Sequence, residues 1–198
     1  MLFSPPSFFS SVTKQHVEQR LFRGIPAAHL FRIVQNVDAY KEFLPLCTES
    51  RVTQRISPHE FYANLTVGMN AGPLQLTETY TSHVTAQAQQ PHQFVINAQS
   101  VQSSKWIEAL SSQWKLTPQN LTAAGTSNNT SRTPENVLVD FQVSLTTSDP
   151  IISQTLDQVL KHVAQQQVQA FEQRCRQLPI EDPNSFPSTS STNQQSKG

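Results

Sequence analysis

Residues 136–178 read NVLVDFQVSLTTSDPIISQTLDQVLKHVAQQQVQAFEQRCRQL, and this stretch decides the fold. Apolar and polar side chains alternate at its start, over residues 136–145, which predicts a strand with one covered face and one face in water. Asp149 and Pro150 then provide the N-cap and the first residue of a helix. Apolar residues recur every three or four positions from there to about Leu178, so roughly 28 helical residues should form a rod about 42 Å long. A rod of that length can cross a whole sheet.

The chain upstream of this stretch predicts further strands and two short helices. A first helix should begin at Pro26, and a helical turn should run from Asp38, as its N-cap, to Phe43. Period-two alternation predicts strands at residues 15–22, 50–56, 61–69, 74–84, 93–99 and 106–116. This order is typical of an α+β helix-grip fold, in which a curved antiparallel sheet wraps around a long C-terminal helix.

Composition divides the chain into one domain and two tails. The domain should span residues 14–178. Residues 1–13 carry no charged side chain and are interpreted as a disordered leader or the remnant of a presequence. Residues 179–198 are rich in proline and hydroxyl side chains, which predicts a disordered tail. Residues 118–135 have a similar composition and are interpreted as a low-complexity insertion between two strands of the same sheet.

Charge and motif content exclude several classes of function. The 14 basic and 14 acidic residues cancel, so the chain lacks the basic excess that nucleic-acid binding requires. Its two cysteines and six histidines show no metal-ligand spacing, and there is no P-loop, GxGxxG or GxSxG motif. We therefore expect no catalytic residues, no metal and no catalytic cofactor.

Two predicted strands mix large apolar residues with isolated polar ones on the face that should be covered. These residues are Leu76, Glu78, Tyr80 and Ser82 on one strand, and Trp106, Glu108, Leu110, Ser112 and Trp114 on the other. One interpretation is a ligand pocket, with apolar walls and a few polar groups that orient a polar head. The other is a filled core whose two glutamates lie at sheet ends, where water reaches them. A carboxylate on a covered face favours the pocket.

Residues 40–47, YKEFLPLC, place several large apolar side chains in the loop before the second strand. This loop forms either a lip that touches a membrane or a plug that closes one end of the sheet. Cys47 is interpreted as a small buried hydrophobic residue, because no nearby basic residue would activate its thiol.

Several short motifs in the right order resemble the mitochondrial coenzyme Q-binding proteins of the START-like, or polyketide cyclase/dehydrase-like, superfamily. The resemblance covers about residues 20–176. It rests on DAYKEFLPLCTES at 38–50, ANLTVG at 63–68, ETYTSHV at 78–84, Trp114, VDF at 139–141 and AFEQR at 170–174. The chain departs from the family pattern at Leu46, where tryptophan is usual, at Met69, where phenylalanine is usual, and in its long insertion.

The resemblance implies a START-like quinone chaperone without catalytic activity. Such a protein binds ubiquinone and part of its isoprenoid tail, and it supports respiratory electron transport and coenzyme Q biosynthesis. It implies peripheral contact with the matrix side of the mitochondrial inner membrane, with proteins of the respiratory chain or of coenzyme Q biosynthesis as further partners. Tyr80, Ser82, Ser112 and the Trp114 indole would donate hydrogen bonds to the quinone oxygens.

We expect the ligand-binding residues to combine the lip, the covered faces of the strands and the long helix. They are Tyr40, Phe43, Leu44, Pro45, Leu65, Val67, Leu76, Glu78, Tyr80, Ser82, Leu110, Trp114, Phe141, Val143, Leu156, Leu160 and Val163. Two alternatives stay open. One is a cyclase or aromatase on the same fold, with Glu78 and Tyr80 as acid and base. The other is a protein-binding module.

Overall fold

The computed structural model describes residues 10–71, 74–89, 93–104, 107–119 and 135–180, with the side chains of 69–71 and 74–76 left out. Seven strands, two α-helices and one 3₁₀ helix follow the predicted order within these residues. They are β1 (Val12–Phe22), α1 (Ala27–Gln35), the 3₁₀ helix (Val37–Glu42), β2 (Cys47–Ser57), β3 (Glu60–Ala71), β4 (Leu74–Gln89), β5 (Gln93–Ser100), β6 (Ala109–Gln119), β7 (Asn136–Thr147) and α2 (Pro150–Gln177).

All seven strands form one antiparallel sheet in the order β1-β7-β6-β5-β4-β3-β2. From β2 to β7 each strand pairs with the next one along the chain, and β1 then joins the free side of β7. The strands that flank the predicted insertion pair with each other, with Pro118 opposite Val137. The edge strand β2 has three register irregularities against β3. Such bulges bend a strand and increase its twist, which helps the sheet to curve around a helix.

The turn after β1 needs glycine at one position. Gly24 has a φ of 69°, a conformation that L side chains rarely adopt. Its backbone N–H donates to Oδ1 of the buried Asn136, 2.9 Å away, which ties the turn to the start of β7. The chain then enters α1, whose buried His29 contacts the carbonyl oxygen of Cys175 through Nε2 at 3.2 Å. This contact fixes α1 against the last turns of α2.

Helix α2 begins and packs as the sequence predicts. The Asp149 carboxylate accepts hydrogen bonds from the backbone N–H groups of Ile151 and Ile152, each at 2.9 Å, so the predicted N-cap is confirmed. The helix packs mainly against β1 and β7. Its fully buried stripe consists of Leu156, Leu160, Ala164, Val168, Phe171 and Cys175.

Four local predictions differ from the structure. Asp38 is not an N-cap; its carboxylate instead accepts from the Val52 backbone N–H at 2.7 Å and joins the 3₁₀ helix to β2. The predicted leader overlaps β1, which already begins at Val12 because it pairs with the end of β7. Strand β6 begins at Ala109 rather than at 106 and extends through Pro118 into the predicted insertion. Trp106, the leader up to residue 9, most of the insertion (120–134) and residues 181–198 lie outside the described residues.

Neither helix of the described chain combines the length and apolar character that a bilayer crossing demands.

Candidate functional site

A cavity of about 240 Å³ lies between α2 and the sheet. Its walls come from the loop before β2, from β3, β4, β6 and β7, and from the first half of α2. Because α2 packs mainly against β1 and β7, it diverges from β3 and β4 on the other side of the curved sheet.

A row of small residues crosses the sheet where the packed core gives way to the cavity. The row is staggered: Ala63 on β3 is paired with Ser82 on β4 and Ala98 on β5 with Ser112 on β6, while Ala98 lies diagonal to Ser82 because its direct partner on β4 is Val84. On one side of this row, the covered face carries large residues that fill the core, namely Phe61, Val84, Phe94, Ile96, Trp114 and Phe141. On the other side, the same strands line the cavity with Leu65, Glu78, Tyr80 and Leu110. The covered face is therefore both core and pocket, divided along the length of the strands.

Helix α2 contributes a second stripe of side chains to the cavity, on the helical face next to its buried stripe. This stripe is Ile152, Thr155, Val159, Val163, Gln166 and Gln167. The three- and four-residue spacing places these side chains on one helical face. The helix therefore fills the core with its buried stripe, of which Leu156 and Leu160 also reach the cavity, and lines the rest of the cavity wall with the second stripe.

Four polar side chains on the cavity wall have no hydrogen-bonding partner among the described residues. Glu78, Tyr80, Ser112 and Gln166 all line the cavity. Within the described part of the chain, none of their side chains makes a hydrogen bond or ion pair. Burial raises the pKa of the Tyr80 hydroxyl above its usual value, with a smaller contribution from the nearby Cys47 thiol. Tyr80 is therefore neutral at physiological pH and can donate a hydrogen bond.

The loop before β2 divides between the cavity and the core. Leu44, Pro45 and Leu46 line the cavity, and the Gly68 backbone N–H donates to the Leu46 carbonyl oxygen at 2.9 Å. This bond holds the loop against β3. Pro45 and Ile151 are both exposed, Ile151 by 67 %, so the cavity reaches the surface at its rim.

An aromatic cluster anchors the other residues of this loop to α2. The Phe171 ring has its centroid 5.3 Å from that of Tyr40, 5.1 Å from Phe43 and 4.7 Å from Trp114. The Trp114 ring also lies 4.5 Å from Phe141. The Tyr40 hydroxyl donates to the Val34 carbonyl oxygen rather than toward the cavity. Shape-matched aromatic contacts of this kind are typical of a packed core.

The structure therefore separates the predicted ligand-binding residues into two groups. Those that line the cavity are Leu44, Pro45, Leu65, Val67, Glu78, Tyr80, Leu110, Val143, Leu156, Leu160 and Val163. Tyr40, Phe43, Trp114 and Phe141 instead belong to the aromatic cluster, and Ser82 is buried in the row of small residues. The side chain of Leu76 lies outside the described residues. Ligand contact by the first group stays a prediction.

Several cavity residues were not in the predicted set. They are Leu46, Cys47, Gly68, Ile107, Leu145, Ile151, Ile152, Thr155, Val159, Gln166 and Gln167. Ser112, which also lines the cavity, was predicted as a hydrogen-bond donor to the ligand. The spacing of Ile152, Val159 and Val163 in the sequence indicates part of this second stripe of α2. The two glutamines gave no such signal, because polar helix residues usually face solvent.

Two other ionisable side chains, Glu108 and Cys47, have pKa values that their surroundings shift. The hydroxyl groups of Ser11 and Ser148 lower the pKa of the Glu108 carboxyl group, which does not line the cavity. Cys47 lines the cavity, but burial raises the pKa of its thiol, and its Sγ–H donates to the Glu49 carbonyl oxygen at 3.3 Å. No cluster of three or more histidine, cysteine or acidic residues suited to a metal occurs in the ranges that the structure describes.

Comparisons with known proteins agree on the fold. The model of the family described as polyketide cyclase / dehydrase and lipid transport matches residues 24–172. Zhui aromatase/cyclase from Streptomyces sp. R1128 is 13 % identical, with 85 % of this chain and 95 % of that chain covered and a TM-score of 0.62. A START superfamily protein from Mycobacterium smegmatis is 14 % identical, with 85 % and 99 % covered and a TM-score of 0.61. A STAR-related lipid transfer protein from Xanthomonas axonopodis is 15 % identical, with 87 % and 97 % covered and a TM-score of 0.56. At these identities the likeness shows a shared helix-grip fold.

Proposed function

The chain belongs to the polyketide cyclase/dehydrase and lipid-transport family, and we propose that it binds ubiquinone in the cavity between α2 and the sheet. It acts there as a quinone chaperone with no catalytic step of its own. The observation that carries the proposal is an apolar cavity whose wall holds polar side chains that have no partner among the described residues. Ligand pockets combine these two features, because apolar walls supply affinity and isolated polar groups orient a head.

The size of the cavity suits a ring rather than a whole isoprenoid quinone. An apolar protein cavity of about 150 Å³ is enough to bind benzene. A cavity of about 240 Å³ can therefore hold a six-membered ring with small substituents. The isoprenoid tail must then leave past the rim, where Pro45 and Ile151 are exposed.

The polar wall offers suitable partners for a quinone ring. Quinone carbonyl and methoxy oxygens accept hydrogen bonds, and Tyr80, Ser112 and the Gln166 amide can donate them. The Trp114 indole, a predicted donor, is instead buried in the aromatic cluster. We assign ring recognition to Tyr80, Ser112 and Gln166.

Cellular placement follows from the sequence resemblance to the coenzyme Q-binding family. In this proposal the protein contacts the matrix side of the mitochondrial inner membrane through its apolar rim. It collects ubiquinone there and delivers it to proteins of the respiratory chain or of coenzyme Q biosynthesis. Ile151 at the rim has an exposed apolar side chain that such a contact would bury.

Extraction of the purified protein tests ubiquinone binding directly. The protein is produced in a host that makes ubiquinone, extracted with organic solvent and analysed by chromatography and mass spectrometry. We expect co-purified ubiquinone in the wild type and its loss in Ser112→Phe, whose phenyl ring would occupy much of the cavity. Ser111→Phe is the matched control, because alternation along β6 turns Ser111 to the other face of the sheet. Absence of quinone from the wild type, with no uptake from quinone-loaded liposomes, would refute the proposal.

A cyclase or aromatase function is the second candidate. Two observations favour it: the fold is shared with an aromatase/cyclase, and Glu78 and Tyr80 lie two positions apart on β4, facing the cavity. A carboxylate and a phenol at that spacing could serve as base and acid. Loss of a measurable turnover in Glu78→Gln, with ligand binding intact, would favour the enzyme over the chaperone.

A further inference from the structure

The Glu78 carboxylate is an unusual feature of a site for a fully oxidised quinone. Glu78 lines the cavity on β4 and is half-buried. In the described chain, its carboxylate has neither a hydrogen bond nor an ion pair. A carboxylate only accepts hydrogen bonds, and it is costly to bury without a donor. Its natural partner in a ligand is therefore a hydroxyl group.

The two redox forms of a benzoquinone differ in this property. The quinone has two carbonyl oxygens, which accept only. Uptake of two electrons and two protons converts both carbonyls to C–O–H groups, so the quinol has two O–H donors that also accept. A quinone oxygen facing Glu78 would meet another acceptor, and both would lose hydration without gaining a bond. A quinol hydroxyl there would form a charge-assisted hydrogen bond.

We propose that the cavity selects the reduced quinol over the oxidised quinone, with Glu78 as the residue that determines this preference. This inference rests on the proposed ubiquinone-binding function. Glu78 accepts a hydrogen bond from one quinol hydroxyl, and Tyr80, two residues along the same face of β4, donates to a ring oxygen. Two residues along a strand span about 7 Å, so the two groups can act at separate points of one ring. The protein carries out no redox step; it sorts two forms that other proteins interconvert.

The lining around Glu78 strengthens this assignment. Across the cavity, Val159 and Val163 of α2 are apolar and offer no hydrogen bond, and no lysine or arginine is among the lining residues that the structure describes. A basic residue there would neutralise the carboxylate and remove its need for a donor from the ligand. The hydroxyl and amide side chains on the wall, Ser112, Thr155, Gln166 and Gln167, can both donate and accept, so they favour neither form.

Separate binding measurements on the two redox forms test the inference. A short-chain ubiquinone and its quinol are titrated into the full chain under anaerobic conditions by isothermal calorimetry. We expect the quinol to bind at least about tenfold more tightly, a conservative figure for one hydrogen bond to a charged group. Such a difference raises the midpoint potential of the bound two-electron couple by about 30 mV, which a potentiometric titration checks independently.

Glu78→Gln is the informative variant, because an amide has the same shape and can both donate and accept. We expect it to bind both forms with similar affinity. Glu108→Gln is the matched control, since Glu108 carries the same group outside the cavity, and it should keep the preference. Circular dichroism of both variants checks that they fold.

The outcomes separate the two proposals. Equal affinity of the wild type for quinone and quinol overturns the redox preference and leaves ubiquinone binding intact. A preference that survives in Glu78→Gln overturns the role of Glu78. Binding of neither form by the folded wild type overturns the proposed function and the inference with it.

Discussion

Truncation of two apolar residues on α2 should have very different costs, because the helix has a packed stripe and a cavity stripe. Phe171 is fully buried, with ring neighbours Tyr40, Phe43 and Trp114 at 4.7–5.3 Å. A buried Phe→Ala substitution costs about 3–5 kcal/mol. Aromatic pairs add about 0.5–1.5 kcal/mol each beyond their buried area, so the loss of three pairs places Phe171→Ala near the upper end of that range.

Val163→Ala should cost less than about 1 kcal/mol in the ligand-free protein. Val163 lines the cavity and is only half-buried, so its methyl groups leave few packed neighbours behind. Alanine also has a higher helix propensity than valine, by up to about 0.7 kcal/mol, which offsets part of the loss.

Urea unfolding followed by circular dichroism measures both variants against the wild type, with the m value as a check on two-state behaviour. Phe171→Leu serves as a milder variant in case Phe171→Ala does not fold, and it should show a smaller loss of the same sign. Equal costs for Phe171→Ala and Val163→Ala would refute the division of α2 into two stripes, as would a cost below about 2 kcal/mol for Phe171→Ala.

Three further predictions follow from local features. Asp149→Ala should lower the free energy of unfolding by about 1 kcal/mol, because α2 loses its N-cap; an unchanged urea midpoint would contradict this. Gly24→Ala should lower the free energy of unfolding by about 1 kcal/mol through backbone strain at φ 69° alone, because no described atom lies within 4 Å of the added Cβ. Gly24→Asn should cost less, because asparagine tolerates this conformation; thermal unfolding compares the two variants. Burial raises the pKa of the Cys175 thiol from 9.0 to about 12. As pH rises, the thiol ionises in the unfolded chain before it does in the folded one, so the free energy of unfolding should fall between about pH 9 and 12. At pH 8, iodoacetamide should label Cys175 only after unfolding, as followed by mass spectrometry. Rapid labelling of the native protein would contradict the burial of this thiol.

Local sequence signals predicted the elements well wherever they were strong. Alternation in residues 136–145 and the Asp149–Pro150 start of α2 required only short-range regularities, and both are confirmed. Prediction was wrong where a tertiary contact overrode the local preference. Asp38 has the residue type of an N-cap, but the neighbouring strand β2 presents a backbone N–H that its carboxylate binds instead.

Local sequence signals were also insufficient to predict which covered residues line the candidate site. Alternation correctly assigned Tyr80 and Trp114 to the covered face of the sheet. It could not tell that Tyr80 lines the cavity while Trp114 packs in the core, because both have the same period and similar chemistry. The difference depends on where each residue lies along its strand, because β4 and β6 each carry core residues at one end and cavity residues at the other.

The sequence by itself determined the α+β order, the long capped helix and the covered face of each strand, since periodicity and capping act between residues close along the chain. The tertiary structure alone decided where that face is filled and where it is hollow. Helix α2 packs against β1 and β7 and diverges from β3 and β4, and the row from Ala63 to Ser112 marks the boundary. A cavity depends on the distance between elements remote in sequence, and no local pattern encodes that distance.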